Sequence, residues 1–445
     1  MDMIEITQDD IKYAEKFLLK SGESFDEKER IRYIKYLKTC DLLAVPGSGK
    51  TTALMAKLIC LERKLPFHDG SGILVLAHTN AAIDEIKAKL SPICPRLFEY
   101  PNFVGTVQSF VNQFLASPFA ESRGFKLTRF DDDYYGNLIK RQLLEIEHQG
   151  IFGKPRSSLF SKNWQRAFDD VVDYDASKKE KAELEAIVKS HSKEKSKNSR
   201  DRKKGKTSSR VFDQALFDLL NMNLKDEGNQ VICPAAFKKK HDELVDQYLR
   251  RLVISYSKEN ILHVGDTTEP YCDAKTDNAR NQRQGVRNAI EKVLIAGCVS
   301  FAFAYELGKD CLQFFPLIKT MLQRRFSLIF LDEAQDLKKF QFEILDDCFF
   351  GQGSKTAFQR IGDKNQAIFG SSDSVKADCD WVTREEQSNG KILDFSITGS
   401  NRLTDDIAKK VDALVLSRTP EGYEVVGKRI NEKRIPPKLI VFSKA

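Results

Sequence analysis

Three short segments carry residue types whose order and spacing can do chemistry on a phosphate. The first is Ala44-Val45-Pro46-Gly47-Ser48-Gly49-Lys50-Thr51-Thr52, which follows the apolar run Leu42-Leu43-Ala44-Val45 and precedes a stretch of helix formers. Glycines let backbone N–H groups curl around an anion without Cβ clashes, and a helix N-terminus beyond them adds positive potential. Lys50 can reach terminal phosphates as a compact charge, and the Thr51 hydroxyl can ligate Mg2+. Ala44 stands where the general pattern has glycine, a swap between small residues. The second segment, Asp332-Glu333-Ala334-Gln335-Asp336, follows the apolar stretch Leu328 to Leu331. Asp332 at such a strand's end can hold Mg2+, and Glu333 can orient and deprotonate a water. In the third, Gly362-Asp363-Lys364-Asn365-Gln366, the Gln366 amide can sense a γ-phosphate because it both donates and accepts. That segment alone equally fits a turn with a solvated glutamine. The chemistry the three allow together is hydrolysis of a nucleoside triphosphate.

These segments need elements to hold them. Residues 9–39 read as two short helices. Leu42–Val45 and Gly72–Ala77 read as strands, Lys57–Leu65 and Ala81–Leu90 as helices, and Phe103-Val104 leads into Gly105-Thr106. Strands and helices alternating at this spacing predict an α/β fold with a parallel, doubly wound sheet. From about 118 to 320 the periodicity is helical, and Val293–Phe303 reads as a buried helix. Within that stretch, 178–210 is rich in Lys, Ser, Arg and Glu. A solvated helix end and loop is the plainer account of it, and a basic arm on a phosphate backbone the functional one. Strand patterns resume at 327–332, 357–362 and 394–397, and 436–442 resembles the first strand of a further sheet.

Composition narrows the class. The chain has 445 residues, 41% hydrophobic and 30% charged, with a net charge of +7. That excess suits a polyanionic partner without requiring one. Its nine cysteines include no C-x-x-C pair and no metal-ligand spacing with the six histidines, which fits free thiols in a reducing compartment. The N-terminus is acidic, and no apolar run is long enough to span a bilayer. A cytoplasmic protein with no membrane partner is expected.

In order and spacing, the motifs resemble those of UvrD/Rep/PcrA-type superfamily 1A DNA helicases. Ala44–Thr51 resembles motif I, Ala77-His78-Thr79-Asn80-Ala81-Ala82 motif Ia, and Gly105–Phe110 the segment that follows it. Arg325–Asp336 is similar to motif II, Gly362–Phe369 to motif III and Ser400-Asn401-Arg402-Leu403 to motif IV. The resemblance implies a RecA-like P-loop domain 1A over 1–117 and 321–425. It also implies an inserted, mainly helical domain 1B over 118–320 and the start of a domain 2A over 426–445. It implies ATP and Mg2+ as cofactors, single-stranded or partly duplex DNA as partner, and 3′-to-5′ translocation. Lys50, Glu333, Gln366 and Arg402 would carry catalysis. Ala44, Gly47, Ser48, Gly49, Lys50, Thr51, Thr52 and Glu29 would bind nucleotide, with Thr51 and Asp332 holding the metal. His78, Thr79, Asn80, Thr106 and Phe369 would meet DNA.

The chain departs from the family pattern at several points. Glu29 stands where the family reads adenine with Gln, and a carboxylate cannot donate to N7. His78 replaces an aromatic ring, and Ser371 and Ser372 replace a Trp and an Arg. Nothing resembles motifs V and VI, whose arginine in such enzymes is worth roughly 10³–10⁵ in rate; truncation of a longer protein is the expectation. Residues 358–369 are also similar to UvrD-like proteins that accompany OLD-family nucleases in Gabija-type anti-phage systems. An ATPase subunit that senses nucleotide or DNA and controls a partner nuclease is therefore the alternative to a motor.

Overall fold

The computed structural model describes residues 4–153, 243, 245–257, 261–264, 277–351, 353–366, 381–387, 392–413 and 424–430. The chain divides into two compact units, Met1–Pro118 with Gly308–Ala445, and Phe119–Leu307. The first is built on six strands: β1 (Cys40–Ala44), β2 (Gly72–Ala77), β3 (Phe103–Thr106), β4 (Phe326–Asp332), β5 (Ala357–Gly362) and β6 (Asp394–Ile397). All pair in parallel, in the order β6-β1-β5-β4-β2-β3. The α/β fold with a parallel sheet is thus what forms.

Most side chains of its central strands are apolar, with Asp41 on β1 and Arg360 on β5 as a charged pair, and every residue of β1, β2 and β4 is buried. Helices on a parallel sheet cover both faces, which is why these strands read as hydrophobic runs. The Lys50–Glu62 helix that follows β1 is buried throughout from Ala53 onward and packs into the same core as Leu42, Val75 and Phe330.

The order matters for chemistry. Strands β1, β5 and β4 are adjacent, so three segments far apart in sequence emerge side by side at one edge of the sheet. Leu43 lies opposite Gly362, and Ala77 lies opposite both Asp332 and Thr106. Parallel α/β sheets bind ligands outside these carboxyl ends.

Residues 9–39 hold the helix Gln8–Leu18, a wide π-type turn at Glu27–Ile31 and one helical turn at Arg32–Lys35. The second unit pairs the helices Asp132–Gln149 and Asp277–Ile295. It also contains short strands: Arg129–Phe130 beside Cys298–Val299, and an antiparallel pair, Leu252–Ser255 with Ile261–Val264. Strands this short carry too little alternation to show against a helical background. Val293–Phe303 is not one helix. The chain leaves its helix after Ile295, turns at Gly297 (φ +78°), makes a two-residue strand and starts a new helix at Phe301. A left-handed glycine breaks the helix inside an apolar run that conceals it. The segments 178–210 and 436–442 lie outside the described residues.

Candidate functional site

After Ala44 the chain turns through Gly47 (φ +71°) and Gly49 (φ +81°) into the Lys50–Glu62 helix. Both angles lie where a side chain is strained. At Gly47 there is also no room, because a Cβ would overlap the side chain of Arg402. No side chain caps the helix N-terminus among the described residues, and its first turn has no acidic residue. The orphan N–H groups at Lys50, Thr51 and Thr52 therefore keep their positive potential for an anion. The Ser48 hydroxyl is buried without a partner among the described residues.

The loop is stitched from outside. The Val45 N–H donates to Ile397 O (3.0 Å), the Ser400 hydroxyl to Pro46 O (2.6 Å) and the Asn401 N–H to Gly47 O (2.9 Å). Arg30, buried and paired with Asp26, donates through Nη2 to Ser48 O and to Gly399 O (3.2 Å). Beside it, Glu29 Oε1 accepts from the Thr398 N–H (3.2 Å) and hydroxyl (2.6 Å). Glu29 and Arg30 thus tie one turn of chain to both the loop and the 397–402 segment. Arg30 has no local sequence signal, since its partners sit on the far side of the fold.

The second segment closes on the first. Lys50 Nζ lies 3.0 Å from Glu333 Oε2, and the Thr51 hydroxyl donates to Asp332 Oδ2 at 3.2 Å. Asp332, at the end of β4, is 1% exposed. Burial, then the neighbouring Glu333 charge, pushes its carboxyl from 3.8 up to about 7. Glu333 is the one non-glycine with positive φ (52°) among the described residues. Such a conformation costs about 1–2 kcal/mol, and it is held by the Glu333 N–H donating to Asp332 Oδ1 (3.0 Å).

The third segment joins through Gln335, the glutamine of the D-E-x-Q-D ending, to which the sequence pattern assigns no chemical role. Gln335 Nε2 donates to Glu333 Oε2 (2.7 Å), while its Oε1 accepts the Asp363 N–H (3.0 Å). Asp363 Oδ2 in turn accepts from Gln366 Nε2 (2.6 Å). The Gln366 amide is thus bonded within its own turn rather than solvated.

The expected DNA-facing residues lie at the ends of β2 and β3, one and two strands from Asp332. His78 is half-buried, and its imidazole is shifted down by burial and then by the Lys338 charge. The Thr79 hydroxyl caps the Asn80–Leu90 helix, accepting from the Ala82 N–H (3.3 Å), and Asn80 is exposed. The Thr106 hydroxyl is similarly spent on the Ser109 N–H (3.1 Å). Phe369, Ser371 and Ser372 lie outside the described residues.

No group of three or more His, Cys, Asp or Glu residues that could hold a metal occurs among the described residues. Mg2+ does not need one. It binds through one or two protein oxygens together with phosphates and water, and the adjoining Thr51 hydroxyl and buried Asp332 carboxylate offer hard oxygen donors of that kind. The described cysteines are buried free thiols, and no described helix is long and apolar enough to cross a membrane.

A left-handed glycine turn into a helix, with a lysine and a threonine facing two carboxylates on a nearby parallel strand, defines a P-loop nucleoside triphosphatase. Residues 25–375 match the UvrD/REP helicase N-terminal domain, so the chain belongs to the UvrD-type helicases. That family is one of ATP-binding, DNA-acting helicases and translocases. No curated protein matches the chain.

Proposed function

We propose that the chain hydrolyses ATP to move along single-stranded DNA from 3′ to 5′. In this reading 1–117 with 321–425 is domain 1A, 118–320 is domain 1B and 426–445 opens domain 2A. The observation that carries it is the meeting of Lys50, Thr51, Asp332 and Glu333 within hydrogen-bonding distance of one another.

Lys50 and the uncapped N–H groups of the helix bind the β- and γ-phosphates, with Gly47, Ser48, Gly49 and Thr52 shaping the cradle behind Ala44. Thr51 and Asp332 would hold Mg2+, which when bound would supply positive charge against the phosphate oxygens. Once a phosphate engages Lys50, Glu333 is released from its ion pair to orient the attacking water and take its proton. Arg402, packed over Gly47, adds positive charge at the γ-phosphate, and Gln366 reports whether that phosphate is present. Glu29 sits at the nucleobase end. His78, Thr79, Asn80 and Thr106 form the DNA-facing edge, and ring stacking at Phe369, by the family resemblance, would add about 1–3 kcal/mol.

The test is steady-state ATP hydrolysis with and without single-stranded DNA, for the wild type and Glu333→Gln. DNA stimulation that falls by about 10²–10⁴ in the variant supports the reading. Turnover indifferent to DNA would instead point to a nucleotide switch acting on a partner such as a nuclease. No turnover in a protein that binds nucleotide would sink the motor.

A further inference from the structure

Gln335 lies between two of the three segments and touches both. Its orientation is fixed by chemistry. A backbone N–H can only donate, so the Asp363 N–H must face Oε1; an ionised carboxylate can only accept, so Glu333 must face Nε2. No side chain with only donors or only acceptors can satisfy both partners. The residue is 5% exposed, so water does not readily replace either bond.

Two further observations show that the surroundings are shaped around this amide. A Cβ at Gly362 would overlap Gln335 Oε1 and come within 2.8 Å of the Trp381 ring, so glycine is what lets the amide approach the β5 end. Asp363 is fully buried and accepts from both the Asn365 N–H (3.0 Å) and the Gln366 side chain. A continuous line of contacts therefore runs from Lys50 through Glu333, Gln335 and Asp363 to Gln366.

We propose that Gln335 is a positioning residue that couples the Glu333 carboxylate to the Gly362–Gln366 turn, so that one side chain registers both phosphate-loop occupancy and the state of that turn. This rests on the ATPase reading above. Before nucleotide arrives, Glu333 Oε2 is shared by Lys50 and Gln335. When a phosphate takes Lys50, the Gln335 amide still holds the carboxylate. Any movement of Glu333 then pulls on the Asp363 N–H, and any movement of the turn re-aims the base. Gln335 touches no reacting atom itself; it acts through Glu333.

The coupling is readable without hydrolysis because Trp381 lies against Gly362. With Trp164→Phe as background, Trp381 is the remaining tryptophan of the chain's two, and its emission reports the turn. Binding of a fluorescent ATP analogue with Mg2+ is measured in parallel, together with kcat and KM. In the wild type, nucleotide changes Trp381 emission. Gln335→Leu keeps nucleotide affinity and KM but loses the Trp381 response, and its kcat falls by roughly 100-fold, as expected for a base held out of line. Gln335→Glu, assayed at a pH where both carboxyls are ionised, can still accept the Asp363 N–H but cannot donate to Glu333. It separates the two halves, retaining a closed turn around Trp381 while kcat falls, and it decides the matter if the leucine variant fails to fold. A Gln335→Leu protein with wild-type kcat and Trp381 response overturns the proposal. So does a matching rise in KM and loss of affinity in both variants, which would mark Gln335 as part of the binding surface. A wild type that binds nucleotide without hydrolysing it removes the motor reading alone, leaving the Trp381 response to judge the coupling. A wild type that binds no nucleotide overturns both.

Discussion

Two aspartates of the central sheet are almost wholly buried, yet the protein treats them in opposite ways. Asp41, on β1, receives two hydrogen bonds from the Arg360 guanidinium (2.8 and 2.6 Å) and one from the Arg384 N–H (2.7 Å). Asp332, on β4, receives a threonine hydroxyl and one backbone N–H, and among the described residues no cation bonds to it. Charge brought into an interior must be compensated. At Asp41 the compensation is permanent and built from the chain. At Asp332 it is weaker, and burial with the Glu333 charge pushes the carboxyl up to about 7. Lysines on the Lys50–Glu62 helix show the same division. Lys50 faces Glu333 at the helix start, whereas fully buried Lys57 donates to Tyr36 O (3.0 Å) and Gln359 Oε1 (2.7 Å) against the Tyr33 ring.

The largest expected effect comes from exchanging the charges at the two aspartates. Asp332→Asn should lower ATP turnover by about 10³-fold, the several kcal/mol of charge stabilisation that a bound metal supplies, while leaving the urea midpoint unchanged or higher. Asp41→Asn should do the reverse, costing about 3–5 kcal/mol of stability by stranding a buried guanidinium. Equal loss of stability in both would break the comparison.

pH sharpens it. The Asp332 carboxyl is raised from 3.8 to about 7, so the folded state holds this proton more tightly than the unfolded chain. Its contribution is full below about 4 and is lost as pH rises to about 7. Burial lowers Lys57 from 10.5 to about 7, so its contribution is full above 10.5 and is lost as pH falls to about 7. Melting temperatures of the nucleotide-free protein should therefore dip near neutrality from these two groups. Asp332→Asn should flatten the acid side and Lys57→Met the alkaline side. Mg2+ with nucleotide, which requires an ionised Asp332, should weaken the acid-side slope, and chelating the metal should restore it.

The smallest effect is the net stability change of Lys57→Met at neutral pH. Leaving Gln359 Oε1 short of a donor costs about 1–3 kcal/mol, and removing a buried amine offsets part of that. A denaturation curve shifted by no more than about 1 kcal/mol is expected; a larger loss would mean that the fixed partners of Lys57 hold it as firmly as Arg360 holds Asp41.

Much of this was legible in the chain. The phosphate loop and the Asp332-Glu333 pair stand out because an apolar strand must end abruptly in polar residues to deliver them. The parallel sheet follows from the alternation around them. Partners across the fold were not legible. Arg360 pairs with Asp41 across 319 positions, and no local pattern marks which charge a mid-strand arginine will meet. Arg30 meets Ser48 and Gly399 for the same reason, and Gln335 looks like one of four polar residues in a row of five until strand order brings Asp363 beside it. Gly297 was hidden by its own apolar neighbours. The capping hydroxyls of Thr79 and Thr106 were legible in principle, since each immediately precedes a helix.

Strand β1 is flanked on one side by β5 and on the other by β6, and both come more than 300 residues later in the chain. The hydrogen bonds that stitch the phosphate loop also come from residues 397–401. On a ribosome adding roughly 5–20 residues per second, the loop is complete in sequence tens of seconds before it can close. A nascent chain therefore carries an apolar strand with both edges unpaired and no working nucleotide site until the end of the fold emerges. The geometry of the phosphate loop is thus set by completion of the domain rather than by translation of its signature motif.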